Sequence, residues 1–151
     1  MLAIVIRDGK ALLVRRANSP DQGRWGFPGG KIDAGETVLA AAMRELAEET
    51  SVIAEAIEPL TVLDVFERRD PENPTSPLKR HFILIAVRCA WRAGEPRAGD
   101  DALEAAWWPL DEIGKLDTSR DVARVAFMAA ARPGQLGYDQ LASKTAQGPR
   151  P

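Results

Sequence analysis

Three carboxylates at helical spacing, Glu45, Glu48 and Glu49, are the residues in this chain with the clearest capacity for chemistry. A helix over about Thr37 to Thr50 accommodates them. At about 100° per residue, Leu39, Met43, Leu46 and Thr50 share one stripe, expected to be buried, and the three Glu fall roughly 140° away. Carboxylates at i, i+3 and i+4 repel by about 0.2–0.5 kcal/mol per pair, and the adjacent Arg44 offsets only part of this. Two readings follow: a solvated acidic face, or a set of oxygen ligands converging on a hard divalent cation. Immediately upstream, Phe27-Pro28-Gly29-Gly30 reads as a tight turn in which a backbone carbonyl can approach an ion closely.

The surroundings favour the second reading. Gly30, Glu36, Arg44, Glu45, Leu46, Glu48, Glu49 and Val52 follow the spacing G-x5-E-x7-R-E-U-x-E-E-x-G-U, where U is a bulky aliphatic residue. This resembles the Nudix hydrolase signature, filling eight of its nine fixed positions over 23 residues. The departure is Ser51, where the family pattern has Gly. A left-handed residue closing the helix suits Gly. Ser there costs about 1 kcal/mol, unless the chain leaves the helix differently.

Composition sets the bounds. At 151 residues and net charge −2, with 45% hydrophobic and 28% charged residues, the chain reads as one soluble domain with a substantial core. No basic excess marks a nucleic-acid polymer or an acidic membrane as partner. The single Cys89 excludes an internal disulfide framework and a Cys-rich zinc site, and its apolar setting predicts a buried, inert thiol. The lone His81 reads as structural or as part of a rim. No stretch has the length of a secretory leader or a membrane span, so the cytoplasm is the expected location. The first strand begins almost at Met1, an abrupt start that leaves room for residues before it.

The elements that must position the carboxylates can be read in order. Leu2 to Arg7 and Ala11 to Arg16 flank Asp8-Gly9-Lys10, a strong hairpin signal. Arg15 and Arg16 end the second run beside the polar loop Asn18 to Arg24. Trp25 and Phe27 are expected to divide between core and cleft. Thr37 is a plausible N-cap. Strand character returns from Ala54 to Glu67. Arg68 to Pro77, with three prolines, reads as a long surface loop: either a plain connector or a binding loop. His81 to Ala90 predicts a central strand buried on both faces. Gly94 to Asp101 is a loop, and Trp107 and Trp108 alternate across the following strand. Thr118-x-x-Asp121 resembles a capping box before a helix to about Ala131. The expected boundaries are a domain over 1–134 and a loosely ordered tail over 135–151.

The resemblance implies an α/β fold, specifically an α/β/α sandwich around a mixed curved sheet. It implies hydrolysis of a nucleoside diphosphate linked to another moiety, with Mg²⁺, or Mn²⁺ in its place, held by Glu45, Glu48, Glu49 and the Gly29 carbonyl. Glu104, in a segment similar to a weaker family pattern, is a further candidate metal ligand. Glu36 and Arg44 are implied to orient the carboxylates. The general base is expected to be Glu45 or Glu48, with Glu104 or Asp101 as rival. Arg15, Arg16, Trp25 and Phe27 are the candidate substrate contacts. The substrate expectation is an ADP-ribose-like sugar nucleotide, although Arg68 stands where ADP-ribose enzymes often carry proline. The alternative is an oxidised purine nucleoside triphosphate. A nucleotide-sensing domain without catalysis and a diphosphate isomerase using a reactive Cys are the readings from other classes. The family's frequent homodimers suggest the early strand as a partner edge.

Overall fold

The computed structural model describes residues 1–99 and 101–132; the expected domain end at 134 and the tail lie outside the described residues. Strands β1 (Leu2–Arg7) and β2 (Lys10–Arg16) form the expected hairpin, with Ile6 opposite Ala11 and Arg7 opposite Lys10. Asp8 and Gly9 take φ of 49° and 71°, the positive pair that lets a two-residue turn follow the strands' twist. A short β3 (Trp25–Gly26) pairs with β2, and helix α1 (Val38–Thr50) follows. Strands β4 (Ile53–Arg68) and β5 (Leu78–Ala93) form a long antiparallel hairpin. β6 (Ala102–Pro109) returns to pair with β2, and a 3₁₀ turn at Ile113–Lys115 leads to helix α2 (Val122–Ala131).

The sheet order is β3-β2-β1-β5-β4, with β6 also on β2 and with β1 parallel to β5. The early strand β1 is therefore internal, and the expectation of a partner edge there is corrected: β4 ends the sheet. Alternation along each strand splits the core in two. Leu2, Ile4, Leu13 and Ala86 pack with α2 through Val122, Val125, Ala126 and Ala129. Ala3, Val5, Leu12, Val87 and Cys89 pack with α1 through Ala41, Ala42 and Leu46. This is the mixed sheet between helices that the sequence pattern leads one to expect. Among the described residues no helix is long and apolar enough to cross a membrane.

Two further expectations change. In the His81–Ala90 run only the second half is central; His81, Phe82 and Ile83 are exposed, because the β4–β5 hairpin outruns the helices that would cover it. Pro59 is tolerated because β4 lies at the edge. Thr118 is not a cap: it forms an isolated bridge with Trp25, and Asp121, at φ 66°, precedes α2 without a side-chain capping bond. The 69–77 connector is held by its own contacts, Arg68 Nη1 donating to the Ser76 carbonyl at 2.6 Å and the Asp70 N–H to Ser76 Oγ at 3.0 Å. His81 sits on this exposed hairpin, with Nε2 2.7 Å from Asp64 Oδ1 and its ring against Phe66.

Candidate active site

Helix α1 is built to place charge beside a glycine turn. Thr37 Oγ1 accepts from the Ala40 N–H at 3.1 Å, satisfying an otherwise orphan donor of the first turn. Ser51 closes the helix in the left-handed region at φ 60°, its N–H donating to the Ala47 carbonyl. Ser thus takes the conformation expected of Gly. The buried stripe is rotated from the expected one: Ala41, Ala42, Leu46 and Thr50 are buried, whereas Met43 is exposed. Small Ala side chains let that face approach the sheet, and the rotation carries Glu45 and Glu49 inward. The Glu45 side chain is only 16% exposed, against 60% for Glu48.

The turn fits against those carboxylates. Gly29 bridges antiparallel to Leu2, and a Cβ on Gly29 would lie 2.2 Å from the Met1 carbonyl oxygen. A Cβ on Gly30 would lie 2.3 Å from Glu45 Oε1, so only glycine leaves room for that carboxylate. The Gly29 N–H donates to Glu49 Oε2 at 3.1 Å. Two carboxylates from successive turns of α1 therefore meet one Gly-Gly step.

Arg44 organises the outer side. Its Nε and Nη2 donate to Glu36 Oε1 and Oε2 at 2.8 and 2.9 Å, a bidentate pair. Nη1 reaches Glu45 at 3.0 Å and Glu48 at 3.3 Å, and Nη2 also reaches the Lys31 carbonyl at 3.1 Å. These bonds hold the Glu36 carboxyl down at about 2, with help from the Asp33 N–H, and push the guanidinium pKa up. Glu49 behaves oppositely. Burial pushes its pKa up to about 7, against the Gly29 N–H and the Arg16 charge; the charges of Glu45 and Asp101 push it further up.

The convergence of three carboxylates expected from helical spacing is not present among the described residues, where no three His, Cys, Asp or Glu side chains are grouped to hold an ion. Arg44 instead bonds one oxygen each of Glu45 and Glu48. The residues nevertheless suit a divalent ion. Glu49 is a desolvated carboxylate without a bonded cation among the described residues, and Gly30 leaves a cradle that a Cβ would fill.

The other candidates divide. Arg15 Nη2 pairs with Glu104 Oε1 at 2.6 Å across the β2–β6 ladder, which ties Glu104 to Arg15. The Asp101 charge pushes the Glu49 pKa up. Arg16 follows a register shift in β2, and the Nε atoms of Arg15 and Arg16 are buried without a hydrogen-bond partner among the described residues. Trp25 and Phe27 do not point to opposite faces. Positions i and i+2 of an extended segment share a face, and both are buried in the α2-side core. Trp25 meets Trp108 edge to face at 5.2 Å, whereas Phe27 lines a cavity of about 90 Å³. Leu2, Leu63, Val65 and Leu84 share its apolar wall; Arg16 and Ser119 are at its polar side. Sequence reasoning did not identify Ser119, whose buried Oγ has no partner among the described residues.

A family model described as the NUDIX domain matches residues 1–129. The chain belongs to the Nudix family. It is 36% identical over 113 residues to an ADP-ribose pyrophosphatase of Methanocaldococcus jannaschii, covering 75% of this chain and 62% of that protein. It is 38% identical over 114 residues to a Mycobacterium tuberculosis protein named as a candidate 8-oxo-dGTP diphosphatase, covering 75% and 74%. The crystal structure of a MutT Nudix hydrolase from Burkholderia pseudomallei superposes with a TM-score of 0.65 at 28% identity, covering 84% of this chain and 93% of that one. Nudix hydrolases generally use divalent metal ions and act on small nucleotides, and this chain carries carboxylates at the signature spacing.

Proposed function

We propose that this Nudix protein is a pyrophosphohydrolase that cleaves the diphosphate linkage of a nucleoside diphosphate joined to another moiety, with ADP-ribose-like sugar nucleotides favoured. The observation that carries this reading is the position of Arg16. Its side chain lines the apolar cavity, and its charge acts on Glu49 at the glycine turn. A base or sugar held in the cavity would thus have its phosphates directed past a guanidinium toward the acidic pair.

In hydrolysis, a water oxygen forms a bond to one phosphorus as that phosphorus loses its bond to the bridging oxygen. Two phosphate products result, and the water's proton passes to a base. Such transfers need charge neutralisation and positioning more than covalent help. Mg²⁺, or Mn²⁺ in its place, would supply that neutralisation when bound. Glu45, Glu48, Glu49 and the Gly29 carbonyl would hold it. Glu36 fixes Arg44, and Arg44 sets the rotamers of Glu45 and Glu48. Glu45 or Glu48 would accept the proton, with Asp101 as rival. Arg15 and Arg16 would meet phosphate, Arg15 by leaving Glu104, and Phe27 would contact the nucleoside.

A second reading, hydrolysis of oxidised purine nucleoside triphosphates, is favoured by the similarity to the Mycobacterium tuberculosis protein. The isomerase reading loses support because Cys89 is 3% exposed and burial pushes its thiol up to about 12. The sensor reading predicts eroded carboxylates, which this signature does not have. The test is formation of the cleavage products, AMP and a phosphosugar from ADP-ribose and nucleoside monophosphate from the others, resolved by chromatography, for a panel of ADP-ribose, a nucleotide sugar, dinucleoside polyphosphates, dGTP and 8-oxo-dGTP, with Mg²⁺ and with chelator. Chelator-sensitive turnover of ADP-ribose well above dGTP and 8-oxo-dGTP is expected. Preference for 8-oxo-dGTP would select the second reading, and no turnover of any member would overturn the enzymatic one.

A further inference from the structure

The chain between β5 and β6 crosses the C-terminal end of α1 and closes against it. The Arg97 N–H donates to the Thr50 carbonyl and the Gly99 N–H to the Glu49 carbonyl, each at 2.8 Å, so the strap satisfies two carbonyls that the helix end leaves free. The approach is tight: a Cβ on Gly99 would lie 2.0 Å from the Glu48 carbonyl oxygen. Asp101 follows, its carbonyl accepting from the Ala17 N–H at 3.2 Å and its Oδ1 from Asn18 Nδ2 at 3.2 Å. The strap therefore joins the helix end bearing Glu48 and Glu49 to the loop after Arg16.

The start of this strap is fastened elsewhere, by residues that the hydrolytic site does not use. The Arg7 guanidinium lies over the Trp91 ring at 3.8 Å from its centroid and 5.9 Å from that of Trp107. Trp91 Nε1 donates to the Gly94 carbonyl at 3.0 Å and Trp107 Nε1 to Glu95 Oε2 at 3.3 Å, while Arg7 Nη1 reaches Glu95 Oε1 at 3.1 Å. The Arg7–Glu95 pair is exposed and weak by itself. The stack and the two indole donors give the latch its rigidity.

We propose that Arg7, Trp91 and Trp107 are positioning residues, which hold the 94–99 strap on α1 and so fix Glu49 relative to Asp101. This rests on the proposed hydrolytic reading of that site, but the latch can be tested without it. Amide hydrogen exchange at Arg97 and Gly99 is compared in wild type, Arg7→Ala and the double variant Trp91→Phe, Trp107→Phe; the double variant keeps the rings and removes both donors. Exchange at both amides is expected to accelerate roughly tenfold while α2 amides stay unchanged. Unchanged exchange in both variants overturns the latch, whatever the activity.

On the substrate that wild type turns over, kcat is expected to fall roughly tenfold with KM within about twofold, since a small displacement of a catalytic group costs rate before binding. In an Asp101→Asn background, Arg7→Ala should add little, because both changes act through the placement of Glu49 relative to Asp101. Faster exchange with unchanged kcat, or full additivity with Asp101→Asn, overturns the positioning role and leaves the hydrolytic reading intact.

Discussion

Helices α1 and α2 lie on opposite faces of one sheet and show two ways of using a helix. α2 buries Val122, Val125, Ala126 and Ala129, and its contribution is shape: with the sheet it walls the cavity beside Phe27. α1 buries only Ala41, Ala42, Leu46 and Thr50. That narrow stripe leaves Glu45 and Glu49 half-sunk at the glycine turn, where their charge is most costly and most useful. On the proposed reading one face would handle charge and the other fit; Arg16 at the end of β2 lines the cavity, and its charge acts on Glu49.

The largest effects expected are on the α1 side. Glu45→Gln and Glu48→Gln should each lower kcat by about 10²–10³-fold, the scale of losing one charge-stabilising group. Thermal stability should change little for Glu48→Gln, because Glu48 is exposed and its pair with Arg44 is a weak surface ion pair. Near-normal turnover in both variants, measured at saturating substrate and Mg²⁺, would remove the assignment of charge chemistry to this face.

The α2 side should answer in binding. Val65→Trp projects a ring into the 90 Å³ cavity from a half-buried position. KM should rise on the order of tenfold, the penalty of a misfitted apolar pocket, with kcat within about twofold. A kcat collapse without a KM change would show that the two faces are not separate in function.

Stability against pH sharpens the contrast further. The folded Glu49 pKa, about 7, lies above its ordinary 4.5. Its contribution to stability is therefore fully present below 4.5 and is lost as pH rises through about 7. In chelator, wild-type Tm should fall across that window more steeply than that of Glu49→Gln, and millimolar Mg²⁺ should restore wild type above it. Parallel Tm curves for the two proteins would show that Glu49 carries no such strain.

The sequence was most legible where local chemistry decides the structure. Asp8-Gly9, Thr37 and the signature spacing each act within a few residues, and the structure has the turn, the cap and the helix they imply. Legibility failed where a distant element decides. Met43 is exposed because the sheet meets the Ala41–Ala42 side of α1, which a periodic count weighted by residue size does not favour. Thr118 is claimed by Trp25 across the sheet before it can cap α2. Sequence alone shows the strap only as a loop, although Gly94 and Gly99 both press on the end of α1.

The smallest effect separates the helix from its chemistry. Ser51 holds φ 60° at the end of α1, a conformation that costs a residue with a Cβ about 1 kcal/mol more than glycine. Ser51→Gly should therefore raise stability, by somewhat less than that figure because glycine also makes the unfolded chain more flexible. The exit geometry, set by the Ser51 N–H on the Ala47 carbonyl and the strap's Arg97 N–H on the Thr50 carbonyl, needs no side chain at 51. Turnover should then match wild type, since no carboxylate moves. If Ser51→Gly instead lowers kcat while raising Tm in denaturation scans, the Ser hydroxyl or the strain itself takes part in placing Glu48 and Glu49. The charge-bearing face would then extend to the last residue of the helix.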